Sequence, residues 1–171
     1  LVRPGSRIWL SDVPPESPRK LRYTWELSEI DGERIGCNTT IPNRLAEAFI
    51  ATRQLRGFTR FDRIRREVPY GERSRVDLCL ERGSRRVRRH YIEVKNCHLI
   101  YPDDRGYFPD SVSARASTHL EELMAVVAQG EQASVIFTVQ CARAKALRPA
   151  ALHDPRFAET ARAAQQAGVR F

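Results

Sequence analysis

Asp77, in the run Ser74-Arg75-Val76-Asp77-Leu78-Cys79-Leu80, and the triplet Glu93-Val94-Lys95 are the residues of this chain whose types and spacing best suit chemistry. Lys95 stands out against the composition, which has 26 arginines and only three lysines, the others being Lys20 and Lys145. An arginine stays protonated, whereas a lysine is a compact charge whose pKa shifts readily on desolvation. Two carboxylates and a lysine gathered at strand ends are a minimal set for metal-assisted cleavage of a phosphodiester. Hard oxygen ligands, few in number, suit Mg²⁺ or Mn²⁺, which keeps several waters and bridges to phosphate oxygens. Asp77 and Glu93 are then the metal ligands. Lys95 orients or deprotonates the attacking water, or neutralises charge developing on the phosphorane.

These residues lie on two short apolar stretches, Val76 to Leu80 and Val87 to Lys95, read as a hairpin across Glu81-Arg82-Gly83-Ser84. On a strand, Glu93 and Lys95 project from one face, while Ile92 and Val94 point the other way into a core. Asp77, between Val76 and Leu78, sits on the neighbouring arm. A further carboxylate, Glu47, lies on a preceding helix, on the side of Ile50 and Ala51 rather than that of Leu45 and Phe49, and could reach the site through the metal or a bound water. Alternating strands also show an Asp and a Glu-x-Lys to solvent, so spacing alone leaves a site and a solvated face both open.

Around this hairpin the pattern is mixed. Arg7 to Leu10, Tyr23 to Ile30 and Arg34 to Cys37 read as three strands of a small β unit, residues 1–40, too few for a closed sheet. Pro42 suits the first position of a helix running to about Arg56, with Leu45, Ala48, Phe49 and Thr52 on one face. A strand from Ile64 to Tyr70 precedes the hairpin, and Cys97 to Tyr101 is read as extending its second arm. Ser111 to Gln129 has helical spacing, Ala133 to Gln140 suits a buried strand, and Asp154-Pro155 opens a helix to about Ala167. Gly168 to Phe171 begins another strand. Residues 41–171 therefore read as an α/β domain, a small mixed sheet flanked by helices.

Apolar content of 42% with 29% charged residues indicates a soluble globular protein, and no apolar run approaches the span of a bilayer. The four cysteines are scattered without a C-x-x-C pair, which favours reduced thiols and a cytoplasmic setting. Cys97, His98 and His119 lack the spacing of a zinc site. Trp9 and Trp25 suit either a core or base stacking. The chain opens at Leu1 without a methionine, as a cut fragment would, and leaves targeting open. Residues 53–95 carry fourteen Arg/Lys against six Asp/Glu, a balance equal to the +8 of the whole chain. A local basic excess is the footprint of a polyanion binder, although an arginine-rich surface could also be mere decoration. Arg65, Arg66, Arg73, Arg75 and Arg115 are candidate contacts to DNA, double- or single-stranded. Arg85, Arg86, Arg88 and Arg89 join them because they lie close to Glu93 in sequence.

Several segments together resemble the sugar fermentation stimulation protein family over essentially the whole chain. They are Arg19-Lys20, Thr24-Trp25-Glu26-Leu27, Asn38-Thr39, Asn43-Arg44-Leu45, Glu67-Val68-x-Tyr70-Gly71, Ser74-Arg75-Val76-Asp77, Tyr91-Ile92-Glu93-Val94-Lys95-Asn96, Tyr107-Phe108-Pro109-Asp110 and His119-Leu120-x-Glu122-Leu123. The resemblance implies an N-terminal OB-like barrel, of which residues 1–40 would be a remnant, and a nuclease domain of the PD-(D/E)xK, restriction-endonuclease-like type. It implies that strands before Leu1 and a short piece after Phe171 are absent. It implies a DNA-binding protein linked to maltose metabolism, with a nuclease motif on Asp77, Glu93 and Lys95 and with Glu47 as the helix carboxylate. The family usually has Arg-Gly-x-Lys after Phe-Pro-Asp. Here Arg115 is followed by Ala116, Ser117 and Thr118, which removes one possible phosphate contact. Two other functions stay in view: a sequence-tolerant DNA-binding regulator with a silent acidic site, and a nucleotide-binding module without cleavage.

Overall fold

A computed structural model of the chain describes residues 3–71 and 74–171. Three antiparallel strands come first, β1 (Ile8–Asp12), β2 (Tyr23–Ile30) and β3 (Glu33–Gly36). Asp31 and Gly32 both take positive φ, 51° and 80°, the two-residue hairpin turn that an Asp-Gly pair favours. This sheet is joined to the rest by the Gly36 N–H, which donates to the Gln140 carbonyl at 3.0 Å, and by a bridge between Ile35 and Cys141.

Then follow α1 (Ile41–Ala51), β4 (Arg63–Tyr70), β5 (Ser74–Arg82), β6 (Arg88–Asn96), β7 (Leu99–Ile100), β8 (Arg105–Phe108), α2 (Ala114–Ala128), β9 (Gln132–Thr138), β10 (Ala146–Pro149) and α3 (Pro155–Ala167). The result is a mixed α/β fold. Its main sheet has the order β4-β5-β6-β9, with β4 to β6 antiparallel and β9 parallel to β6. A parallel neighbour requires a crossover, and the segment carrying α2 supplies it. One face packs Val68, Tyr70, Val76 and Val135 against Leu120 and Leu123 of α2 and Phe157 of α3. The other packs Leu78, Leu80, Ile92 and Val94 against Ala46 and Ile50 of α1. The four cysteines are free thiols, three of them buried. Among the described residues no helix is long and apolar enough to cross a membrane.

Two expectations are corrected. Helix α1 ends at Ala51 rather than near Arg56; its buried residues are Pro42, Ala46 and Ile50, and the Leu45/Phe49 face stays outside. Leu45 and Phe49 are 36% and 43% exposed, whereas Ile50 is fully buried. Two apolar stripes run along this helix, and the small Ala46 lets the second lie close against the sheet. Cys97 to Tyr101 does not prolong β6. Its β7 pairs with β8, and β10 adds to β8 in parallel to make a separate sheet of order β10-β8-β7.

His90, on β6, is buried with Nε2 2.7 Å from Ser134 Oγ and its ring stacked on Phe58 at 5.1 Å. Burial, reinforced by the charge of Arg170, lowers its pKa from 6.5 to about 4. Between these values the unfolded chain takes a proton that the folded chain refuses, so stability falls as pH falls through that window. The loss by about pH 5 is on the order of 2 kcal/mol. Thermal melts at about pH 7 and pH 5 check this against His90→Asn. The variant is expected to lose less melting temperature on acidification than the unaltered chain, and equal losses would remove His90 as the cause.

Candidate functional site

The site forms where the main sheet breaks. Along β4, Arg66 pairs with Leu78 and Val68 with Val76, and the residues between, Glu67 and Asp77, form no ladder pair. Glu67 has φ of 49°, left-handed backbone that a non-glycine residue adopts only under strain. Sidedness changes there too. Ile64, Leu78 and Leu80 pack toward α1, but Val68 and Val76 pack toward α2. On the other flank the β5–β6 ladder reaches Leu78–Ile92 and goes no further. Asp77 fills the gap with its side chain: Oδ2 accepts from the Val94 N–H at 2.7 Å, and Oδ1 accepts from Asn43 Nδ2 at 2.8 Å.

Glu93, 4% exposed, is held from the other helix. Its Oε1 accepts from Lys95 Nζ at 2.6 Å and lies 2.6 Å from Nδ1 of the buried His119 on α2. Each helix thus grips one carboxylate, α1 through Asn43 and α2 through His119. Both carboxylates line a cleft of about 550 Å³ together with Glu67, Ser74, Arg75, Arg115, Thr118 and His119.

Burial, and then the charge of Glu93, push the Asp77 carboxyl above its ordinary range, against the pull of the Val94 N–H, Asn43 and Lys95. Burial pushes Glu93 up as well, but the His119 hydrogen bond and the Lys95 charge together outweigh it, and its net shift is downward. Tyr70, buried beside the site, has its phenol pushed far up by burial and by the charges of Glu93, Glu122 and Asp77. Among the described residues the buried side-chain atoms without a hydrogen-bond partner are Tyr70 Oη, Glu93 Oε2, Ser117 Oγ and Glu122 Oε2. A divalent cation fits this pattern. Glu93 Oε2 is a bare buried anionic oxygen, and a cation shared with Asp77 would offset both the burial and the Glu93 repulsion that raise the Asp77 carboxyl. No three His, Cys, Asp or Glu side chains converge into a metal cage among the described residues. Mg²⁺, which keeps most of its waters and takes one or two carboxylates, needs no such cage.

The other candidates are dispersed. Glu47 pairs with Arg66, Oε2 to Nη2 at 2.6 Å, while Asn43, one turn earlier on α1, is the residue that reaches Asp77. Arg65 and Arg89 both pair with Glu81 at 3.3 Å. Arg75 and Arg115 line the cleft. Arg73 lies outside the described residues. Arg85, Arg86, Arg88 and Arg89 are near Glu93 in sequence but at the opposite end of the hairpin. Five residues of strand separate Glu93 from Arg88, roughly 17 Å at about 3.3 Å per residue. Sequence proximity along a strand is distance, not contact. Sequence reasoning missed Asn43, Glu67 and His119 as site residues. All three stand in segments that carry the family resemblance, which was the available signal.

Residues 40–171 match the sugar fermentation stimulation protein RE domain. The chain is 45% identical over 170 residues to a sugar fermentation stimulation protein homolog of Thioalkalivibrio sulfidiphilus, covering 99% of this chain and 70% of that protein. The chain belongs to the sugar fermentation stimulation protein family. A homolog from Rhodospirillum centenum is 44% identical, with 97% and 70% of the two chains covered. The structure of Pyrococcus furiosus SfsA in complex with Ca²⁺ superposes with a TM-score of 0.82 at 25% identity, covering 95% of this chain and 67% of that one. The mixed sheet with its three helices is therefore the fold of this family. In this sugar fermentation stimulation family member, Thr118 is an exposed cleft residue whose hydroxyl donates to the Ala114 carbonyl at 3.1 Å.

Proposed function

We propose that this protein binds DNA in the cytoplasm and cleaves phosphodiester bonds with the help of a divalent cation. The observation that carries the reading is the convergence of Asp77 and Glu93 on one cleft, with Lys95 on Glu93 and with Arg75 and Arg115 on the walls. The sheet β4-β5-β6-β9 with its helices is read as a PD-(D/E)xK, restriction-endonuclease-like core, and β1 to β3 as part of an OB-like barrel. Asp77 and Glu93 would hold Mg²⁺ or Mn²⁺, which when bound supplies Lewis-acid polarisation of a phosphoryl oxygen. The Ca²⁺ complex of the Pyrococcus furiosus relative supports a hard cation. Asn43 and the Val94 N–H hold Asp77 in place, and His119 holds Glu93. Lys95 has three protons to donate and gives one to Glu93 Oε1, leaving others for an attacking water or a phosphate oxygen. Arg75 and Arg115 would bind the flanking backbone phosphates.

The second reading, a DNA-binding regulator with a silent centre, draws on Thr118, a cleft hydroxyl where the family resemblance implies a lysine. One assay separates the two. The protein is incubated with supercoiled and single-stranded DNA, with and without Mg²⁺ or Mn²⁺, beside Asp77→Ala and Lys95→Ala. Metal-dependent cleavage is expected to fall at least about a hundredfold in each variant, equivalent to roughly 3 kcal/mol of barrier. Cleavage that survives both substitutions overturns the nuclease reading, and salt-sensitive binding without any cleavage supports the regulator.

A further inference from the structure

We propose that His119 is the positioning residue of this site: it locks Glu93 so that Oε2 is the oxygen offered to the cation. The inference rests on the metal-centre reading above.

His119 is 5% exposed, and both of its nitrogens are engaged, Nδ1 with Glu93 Oε1 at 2.6 Å and Nε2 with Arg115 Nε at 3.4 Å. A guanidinium only donates, so Nε2 must accept. The proton of the neutral ring is then on Nδ1, where it donates to Glu93. Arg115, one turn earlier on α2, thus sets the tautomer from the cleft wall.

The two donors to Glu93 differ in stiffness. Lys95 is on the same strand as Glu93 and carries its ammonium on a flexible four-carbon stem, so it can follow the carboxylate if that group rotates. His119 cannot. Its ring is fixed on a helix whose neighbouring Ala116, Leu120 and Leu123 are all buried in the core. A carboxylate free to rotate would present either oxygen. Here one oxygen receives both donors, and the other is buried without a partner. The arrangement is that of a supporting residue behind a metal ligand, which fixes orientation and strengthens the ligand as a donor atom.

Calorimetric titration of Mn²⁺ into the full chain, with unaltered protein, His119→Leu and His119→Asn, tests this, with melts in chelator reporting the fold. His119→Leu is expected to weaken Mn²⁺ binding about 10- to 100-fold. His119→Asn, whose amide N–H can stand near the place of Nδ1–H, is expected to recover most of that loss. A purely structural histidine would instead lower the melting temperature in both variants and leave the affinity of the folded protein unchanged, and that result overturns the inference while sparing the metal centre. Absence of Mn²⁺ binding by the unaltered protein overturns both. Should the leucine variant not fold, nitrogen-15 NMR of the unaltered chain decides: the Nδ1–H tautomer of His119 is expected with and without Mg²⁺. Observation of the Nε2–H tautomer, or loss of the Nδ1–H signal when Mg²⁺ binds, overturns it.

Discussion

Glu93→Gln is expected to abolish metal-dependent cleavage, by about a thousandfold or more, while leaving the protein folded. The amide is nearly isosteric with the carboxylate. Its oxygen can still accept from Lys95 and His119, so the contacts to Oε1 at 2.6 Å have a replacement. What changes is the atom at the bare Oε2 position, which becomes an NH₂ group. That group cannot ligate a cation, and it removes the negative charge that pairs with Lys95. Several kcal/mol of stabilisation of the developing phosphoryl charge go with the metal, and each 1.36 kcal/mol is about tenfold in rate. Stability should move little, because the bare Oε2 position has no partner to lose and the Glu93 charge that repels Asp77 is removed. Single-turnover cleavage of a radiolabelled duplex, run beside a thermal melt, checks both halves. Retained cleavage in a folded Glu93→Gln protein would exclude Glu93 as a metal ligand.

Ile50→Ala is expected to cost about 2–5 kcal/mol of stability, whereas Phe49→Ala, next to it, should cost under about 1 kcal/mol. Ile50 is fully buried against Leu78, Leu80, Ile92 and Val94, and truncation leaves a cavity that the sheet cannot close. Phe49 is 43% exposed and stands outside both core clusters. Urea unfolding of the two variants gives the comparison directly, and the reverse order would mean that α1 docks by its other stripe. The consequence reaches the site, because Asn43 bonds Asp77 only when α1 lies on its Pro42/Ala46/Ile50 face.

The helix face shows where sequence reasoning stops. Leu45 and Phe49 are larger and more apolar than Pro42 and Ala46, so hydrophobicity alone favours the stripe that the protein leaves outside. The choice is made by fit, since a helix with a small residue at its centre can approach a sheet already crowded with Leu78, Ile92 and Val94. The hairpin arginines teach the same lesson on a strand. Arg88 and Glu93 share β6, yet an extended chain carries them to opposite ends of the sheet.

Local patterns were legible because they are set by local physics. The Asp31-Gly32 turn, the β5–β6 hairpin and the helix from Pro155, capped by Asp154 and ended at the left-handed Gly168, follow from backbone preferences written in a few adjacent residues. So does the shared side of Glu93 and Lys95, a matter of strand period. Alternation predicts Val76 and Leu78 together on one face with Asp77 opposite. In the folded protein Val76 packs under α2 and Leu78 under α1. The change of side occurs at Asp77, opposite the strained Glu67, where the ladders on both flanks lapse. No residue near Asp77 announces this break. The β4–β5 register is the same on both sides of the gap, so only the pairing and the sidedness change there, and an aspartate side chain takes over a backbone acceptor's work. Adjacent residues were enough to single out Asp77, Glu93 and Lys95 and the strands that carry them. That Asn43 from one helix and His119 from the other hold the two carboxylates depends on long-range packing, which no local period encodes.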